Sequence, residues 1–145
     1  MELDDVYFMK LALQEADKAA ALGEVPIGAV VAVNQRVIAR THNLTERLHD
    51  VTAHAEMQAI TSAANFLNGK YLVGCTLYVT LEPCIMCAGA LAWSQLHRVV
   101  FGASDPKRGF LQAAIALHPK TKVTPGILHE ESKALLDHFF AKKRK

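Results

Sequence analysis

Cysteine is scarce in this chain, with three residues in 145. Two of them, Cys84 and Cys87, stand at metal-ligand spacing, which argues against a disulfide framework and for a reducing compartment. Long apolar runs are missing too. The main uncharged stretches, Val25 to Val33 and Cys84 to Leu96, fall short of the roughly 20 apolar residues that cross a bilayer. The N-terminus reads Met1-Glu2-Leu3-Asp4-Asp5, without the basic start of a secretory signal. A soluble cytoplasmic protein is the expectation. No internal repeat, low-complexity tract or linker interrupts the sequence, so one domain over 1–145 is expected, and 51% hydrophobic content suffices for a full core. Strong charge of either sign is absent as well, and a formal net charge of +2 selects no class of partner. The basic residues that do gather are Lys142-Lys143-Arg144-Lys145 and the smaller pair Lys107-Arg108. A charged tail of this kind is ordinarily a solvated end.

What is present reads as strands alternating with helices. Val6, Met9, Leu13, Ala16 and Ala20 fall at helical spacing within residues 5–22, and Gly23 stops the helix. Ala29 to Val33 and Val37 to Arg40 are β-branched runs around Asn34-Gln35-Arg36, a hairpin whose turn lacks the usual glycine. After a polar loop from Thr41 to Asp50, Thr52 is placed to cap a helix from Ala53 to Leu67, closed by Asn68-Gly69. A strand over Thr76 to Thr80 runs into Pro83, a helix covers Cys84 to Gln95, a strand covers Arg98 to Phe101, and a last helix covers Glu130 to Lys143. This order predicts an α/β layered domain.

Chemistry concentrates in two runs, Thr52-Ala53-His54-Ala55-Glu56 and Leu81-Glu82-Pro83-Cys84-Ile85-Met86-Cys87. His54, Cys84 and Cys87 make three zinc ligands, and a catalytic zinc leaves its fourth tetrahedral position to water. Cys75, the remaining cysteine, sits in the apolar stretch Leu72 to Leu81 as inert packing. Two cysteines three apart in the first turn of a helix share a face, with Cβ atoms roughly 5 to 6 Å apart. The partial positive charge of the helix start favours their thiolates. His54 and Glu56 are two residues apart, which inside a helix would point them about 200° from each other. They share a pocket only if that pocket lies off the helix end, so two helix N-termini must converge on one metal at the rim of the sheet. Glu56 is then free to move a proton from the metal-bound water to a leaving group. His97, His118, His129 and His138 are read as surface residues, and His42 and His49 are left open.

The ordered His-x-Glu and Pro-Cys-x-x-Cys pattern resembles the zinc-dependent cytidine deaminase-like superfamily. Within it, Glu24 to Val30, Asn43, Thr52 to Glu56, Thr76 to Cys84, Met86 to Ala90 and Arg98 to Ala103 resemble bacterial tRNA adenosine deaminases of the TadA type. The likeness covers residues 5–141. It implies a three-layer α/β/α domain with a central mixed sheet of about five strands. It also implies one Zn2+ per chain on His54, Cys84 and Cys87, Glu56 as the catalytic proton carrier, and Asn43, Ile27 and Ala55 at the substrate. The activity so implied is hydrolytic conversion of adenosine to inosine at the wobble position of a tRNA anticodon, by a homodimer that grips the anticodon stem-loop.

Other readings remain beside it. A free-base or nucleoside deaminase of the guanine or cytosine type would share the motif, a non-catalytic nucleic-acid-binding module would have no use for Glu56, and a structural zinc protein would need a fourth ligand. The segment between Gly109 and Gly126 looks shorter and differently composed than the family's, so no substrate role transfers to it. Trp93 fits core or interface packing and is also compatible with guanine deaminases. Ile85, Met86, Leu91 and Trp93 exceed what one buried helix face requires, which points to a partner chain on the other.

Overall fold

The computed structural model describes residues 2–143; Arg144 and Lys145 of the basic tail lie outside the described residues. Helix α1 (Asp5–Ala21) starts where Asp4 accepts a 2.9 Å hydrogen bond from the Tyr7 N–H and ends before Gly23, whose φ of +78° is in the left-handed region. Strands β1 (Gly28–Val33) and β2 (Arg36–His42) form the expected hairpin. Its missing glycine is replaced by Asn34 and Gln35, both left-handed, at φ 49° and 68°. Then follow α2 (Ala55–Leu67), β3 (Thr76–Leu81), α3 (Ile85–Ser94), β4 (Arg98–Ala103), β5 (Lys122–Thr124) and α4 (His129–Lys143).

The five strands make one mixed sheet in the order β2-β1-β3-β4-β5. Strand β1 is antiparallel to both neighbours, whereas β3, β4 and β5 run parallel. Alternation along the strands sends Ala29, Val31, Leu77, Val79, Val99 and Phe101 into one core with Ala55, Ala59 and Ala63 of α2 and Ala88 and Leu91 of α3. Their neighbours Val30, Ala32, Tyr78 and Val100 pack on the opposite face against Phe8, Met9 and Ala12 of α1. A sheet apolar on both faces must be covered on both, which gives the three α/β/α layers. Helix α1 lies directly on β1, because a Cβ at Gly28 would run into Ala12 O and Ala16 N. The Asp5 carboxylate ties this layer to the sheet through Arg98 and the Tyr78 hydroxyl.

Two local readings change. Thr52 does not cap α2: Asp50 Oδ1 accepts both its N–H at 2.8 Å and its hydroxyl at 2.7 Å, closing a turn that delays the helix until Ala55. His54 takes the cap position instead, with extended backbone at φ −71° and ψ 155°. Strand β5 is three residues at the sheet edge with no buried side chain, so it leaves no alternating pattern to read.

Candidate metal centre

Because β1 alone runs against the other strands, the ends of β2, β3 and β4 and the start of β1 lie at one end of the sheet. Open α/β sheets bind ligands at such carboxyl ends. Here β3 runs through Glu82 and Pro83 into Cys84, the cap residue of α3, with Cys87 in its first turn, and the loop after β2 leads to His54. Both helix N-termini meet as the spacing requires.

His54 Nδ1, Cys84 Sγ and Cys87 Sγ lie within 4.8 Å of one another. The two sulfurs stand 3.7 and 3.5 Å from Nδ1. Zn–S and Zn–N bonds of about 2.3 and 2.1 Å meeting at a tetrahedral angle put sulfur and nitrogen about 3.6 Å apart, so both sulfur–nitrogen separations match a tetrahedral zinc site. Charge makes the same point. The hydrogen bond from Cys87, helped by His54, draws the Cys84 thiol down to about 3. The Cys84 thiolate in turn pushes the Cys87 thiol well above its ordinary value, as does burial. Two adjacent thiolates repel, and a divalent cation is what allows both to ionise. Cys75 is buried away from the trio and its thiol is raised by burial.

Glu56 is the second residue of α2 and is 4% exposed. Its Oε1 has no hydrogen-bond partner among the described residues, and burial pushes the carboxyl up to about 7. A buried carboxyl with an unpaired oxygen beside three metal ligands is equipped to carry a proton.

Asn43 is buried, and its Oδ1 accepts the Ala55 N–H at 2.8 Å. Its own N–H donates to Ile27 O at 3.1 Å, on the half-buried residue just before β1. Ala55 O takes the Thr41 hydroxyl at 2.7 Å, so both polar groups of Ala55 are engaged. The Asn43 amide N–H2 keeps no partner among the described residues. Gln58 completes the lacing, since its Nε2 donates to His42 O at 2.7 Å and Ala53 O at 3.2 Å.

The other histidines stay apart from the trio. His42 Nδ1 is 2.9 Å from the buried Glu15 carboxylate, His49 is exposed with φ 51°, His97 and His138 are exposed, and His118 and His129 are half-buried. Trp93 is 83% exposed and so is not core; it borders a cleft of about 300 Å³ with Leu117 and Pro119. Three residues of the site end escape the reading from sequence: Gln58, Glu24 and Glu82. The two glutamates do leave a signal, being lone charges inside otherwise apolar runs.

A family model of MafB19-like deaminases matches residues 3–144. The chain is 47% identical over 151 residues to a tRNA-specific adenosine deaminase of Bacillus subtilis, covering 100% of this chain and 93% of that protein. Among solved structures, one from a study of A-to-I editing by tRNA:A34 deaminases at the wobble position superposes with a TM-score of 0.82 at 45% identity, over 90% of this chain and 99% of the other. A guanine deaminase from Nitrosomonas europaea superposes with a TM-score of 0.79 at 25% identity, over 97% of this chain and 86% of the other.

Replacing Asn43 with Ala leaves the buried Ala55 N–H unpaired, at a cost of about 1–3 kcal/mol. At about 2–4 °C per kcal/mol for a domain of this size, calorimetry should record a clear fall in Tm. Asn43→Asp, which keeps the acceptor, should recover most of it. An unchanged Tm in Asn43→Ala would show that this bond does not hold the α2 terminus.

Proposed function

We infer that this chain, which belongs to the MafB19-like deaminase family, is a tRNA-specific adenosine deaminase. It is a hydrolytic enzyme that converts adenosine to inosine at the wobble position of tRNA anticodons. The observation that carries this is the conjunction of full-length 47% and 45% identity to tRNA adenosine deaminases with a metal-ligand trio and a buried, unpartnered glutamate. Likeness to guanine deaminases is weaker, at 25% and 32% identity.

Residues 1–145 act as one deaminase domain that binds one Zn2+ through His54, Cys84 and Cys87. When bound, the ion supplies Lewis-acid activation of water for attack at C6 of the adenine ring. Glu56 takes a proton at its carboxylate and returns one to the departing amino group, so that a C–O bond forms, the C–N bond breaks and ammonia leaves. Asn43, with Oδ1 held by Ala55, offers its amide N–H2 to an acceptor on the base edge, and Ile27 and Ala55 form the wall beside it. An anticodon adenine can leave its stack to reach this position, because loop bases are the ones proteins splay out and read. Lys107, Arg108 and the basic tail meet backbone phosphates, so binding weakens as salt rises.

The enzyme works as a homodimer in the cytoplasm, where its tRNA is found. Ile85 and Trp93 are 57% and 83% exposed on α3, and a second copy covers them. No helix among the described residues is long and apolar enough to cross a membrane.

The test is incubation of the purified protein with total tRNA and, separately, with guanine, adenosine and cytidine. Inosine should form in tRNA; deamination of guanine with tRNA untouched would select the guanine deaminase reading. Glu56→Ala should lose on the order of 10² to 10⁴ in rate while metal analysis still finds one zinc per chain. Loss of zinc, or near-normal turnover, would remove Glu56 from the proton-carrying role. Light scattering should report a dimer at micromolar concentration and a shift toward monomer in Trp93→Glu. A monomeric wild-type protein would contradict the shared RNA groove.

A further inference from the structure

Glu82 is 5% exposed and has no cationic partner among the described residues. Burying a carboxylate is costly unless hydrogen bonds replace its water. Its Oε1 accepts the Asp105 N–H at 3.0 Å and its Oε2 the Leu111 N–H at 2.9 Å. One carboxylate thus grips both ends of the 105–111 loop.

Everything between those ends is fixed around it. Asp105 Oδ1 accepts the N–H groups of Lys107 at 3.1 Å and Arg108 at 3.0 Å, and Asp105 O accepts that of Gly109 at 2.9 Å. Gly109 has no room for a side chain, because a Cβ would collide with the Glu82 carboxylate and with Asp105 O. The loop then pairs with the segment that delivers the metal ligand: Cys84 bridges Gly109, and the Phe110 N–H donates to Pro83 O at 3.0 Å. The Phe110 ring is buried edge-on against Phe101. Only the tip projects. Lys107 and Arg108 are exposed and form no ion pair among the described residues, and they stand next to Gly109, which pairs with Cys84.

We propose that Glu82 is a positioning residue for RNA binding, which holds the 105–111 loop so that Lys107 and Arg108 meet the phosphates flanking the target adenosine. This rests on the substrate reading above. Without the carboxylate the loop keeps its charges but loses its fixed place at the mouth of the site. Glutamine is no substitute, since its amide nitrogen would face one of the two N–H groups donor to donor. Glu82 acts through the two basic residues, so its loss and theirs should be one effect.

The experiment uses the zinc-loaded protein and an anticodon stem-loop RNA, with kcat and KM measured across a salt series. Glu82→Gln should raise KM about tenfold with kcat little changed. The slope of log kcat/KM against log salt should flatten by about 0.7 for each phosphate no longer neutralised by the loop. Gly109→Ala, which pushes on the same carboxylate from the loop side, should do likewise. Adding Glu82→Gln to a Lys107→Ala, Arg108→Ala protein should cost nothing further, as expected for residues acting through one interaction. The proposal is overturned if Glu82→Gln lowers kcat at constant KM, sheds its zinc, or adds its full effect to the double variant, or if Gly109→Ala leaves KM and slope unchanged. Failure of the wild-type protein to form inosine in the stem-loop would instead defeat the substrate reading, before any variant is compared.

Discussion

Two thiolates and an imidazole must be held within 4.8 Å of one another by two different helices, and most of the site end of this fold serves that requirement. His54 and Cys84 both sit at cap positions, where backbone is still extended and a side chain can point off the helix end. Placing Glu56 two residues after His54 then becomes possible, because only one of them is inside the helix. The two adjacent sulfurs share a hydrogen bond, which draws the Cys84 thiol down and pushes the Cys87 thiol up. A divalent cation would let both sulfurs ionise, so the trio is electrostatically suited to one.

Holding two helix ends in place falls to a set of polar side chains, Asn43, Glu24 and Glu82 buried and Gln58 half-buried, that bond to backbone rather than to each other. Asn43 and Gln58 lace the end of β2 to the start of α2. Glu24, 1% exposed, accepts the N–H groups of Glu46 at 3.1 Å and Arg47 at 2.8 Å and fixes the loop after Asn43. Glu82 does the same for the loop after β4. Asn43, Glu24 and Glu82 satisfy backbone N–H donors, and Gln58 satisfies carbonyl acceptors, that a loop cannot otherwise bury. The loops around the His54, Cys84 and Cys87 trio are therefore defined walls, as a preorganised site requires.

Much of this is legible in the sequence. Helical periodicity places α1, α2, α3 and α4 within a few residues, and the spacing of His54, Glu56, Cys84 and Cys87 carries the convergence of two helix starts, because ligand chemistry and helix geometry admit few other solutions. The start of α2 is not legible, since Thr52 has the chemistry of a cap but spends its hydrogen bonds on Asp50. Strand β5 escapes because an edge strand of three residues leaves no alternation. Glu24 and Glu82 stand out as lone charges in apolar runs, but what they hold is not legible, because their partners are backbone groups distant in sequence, such as Leu111, 29 residues from Glu82. No local pattern encodes that. Asn43 carries both a donor and an acceptor in its chemistry, and the fold commits its Oδ1 to Ala55.

An open metal site has three protein ligands and a fourth position left for chemistry. Zinc-edge X-ray absorption on the zinc-loaded protein distinguishes it from a closed one. Two sulfur neighbours at about 2.3 Å and two nitrogen or oxygen neighbours at about 2.0–2.1 Å, one of which exchanges with solvent, are expected. A third sulfur, or a fourth ligand supplied by the protein, would contradict the open site.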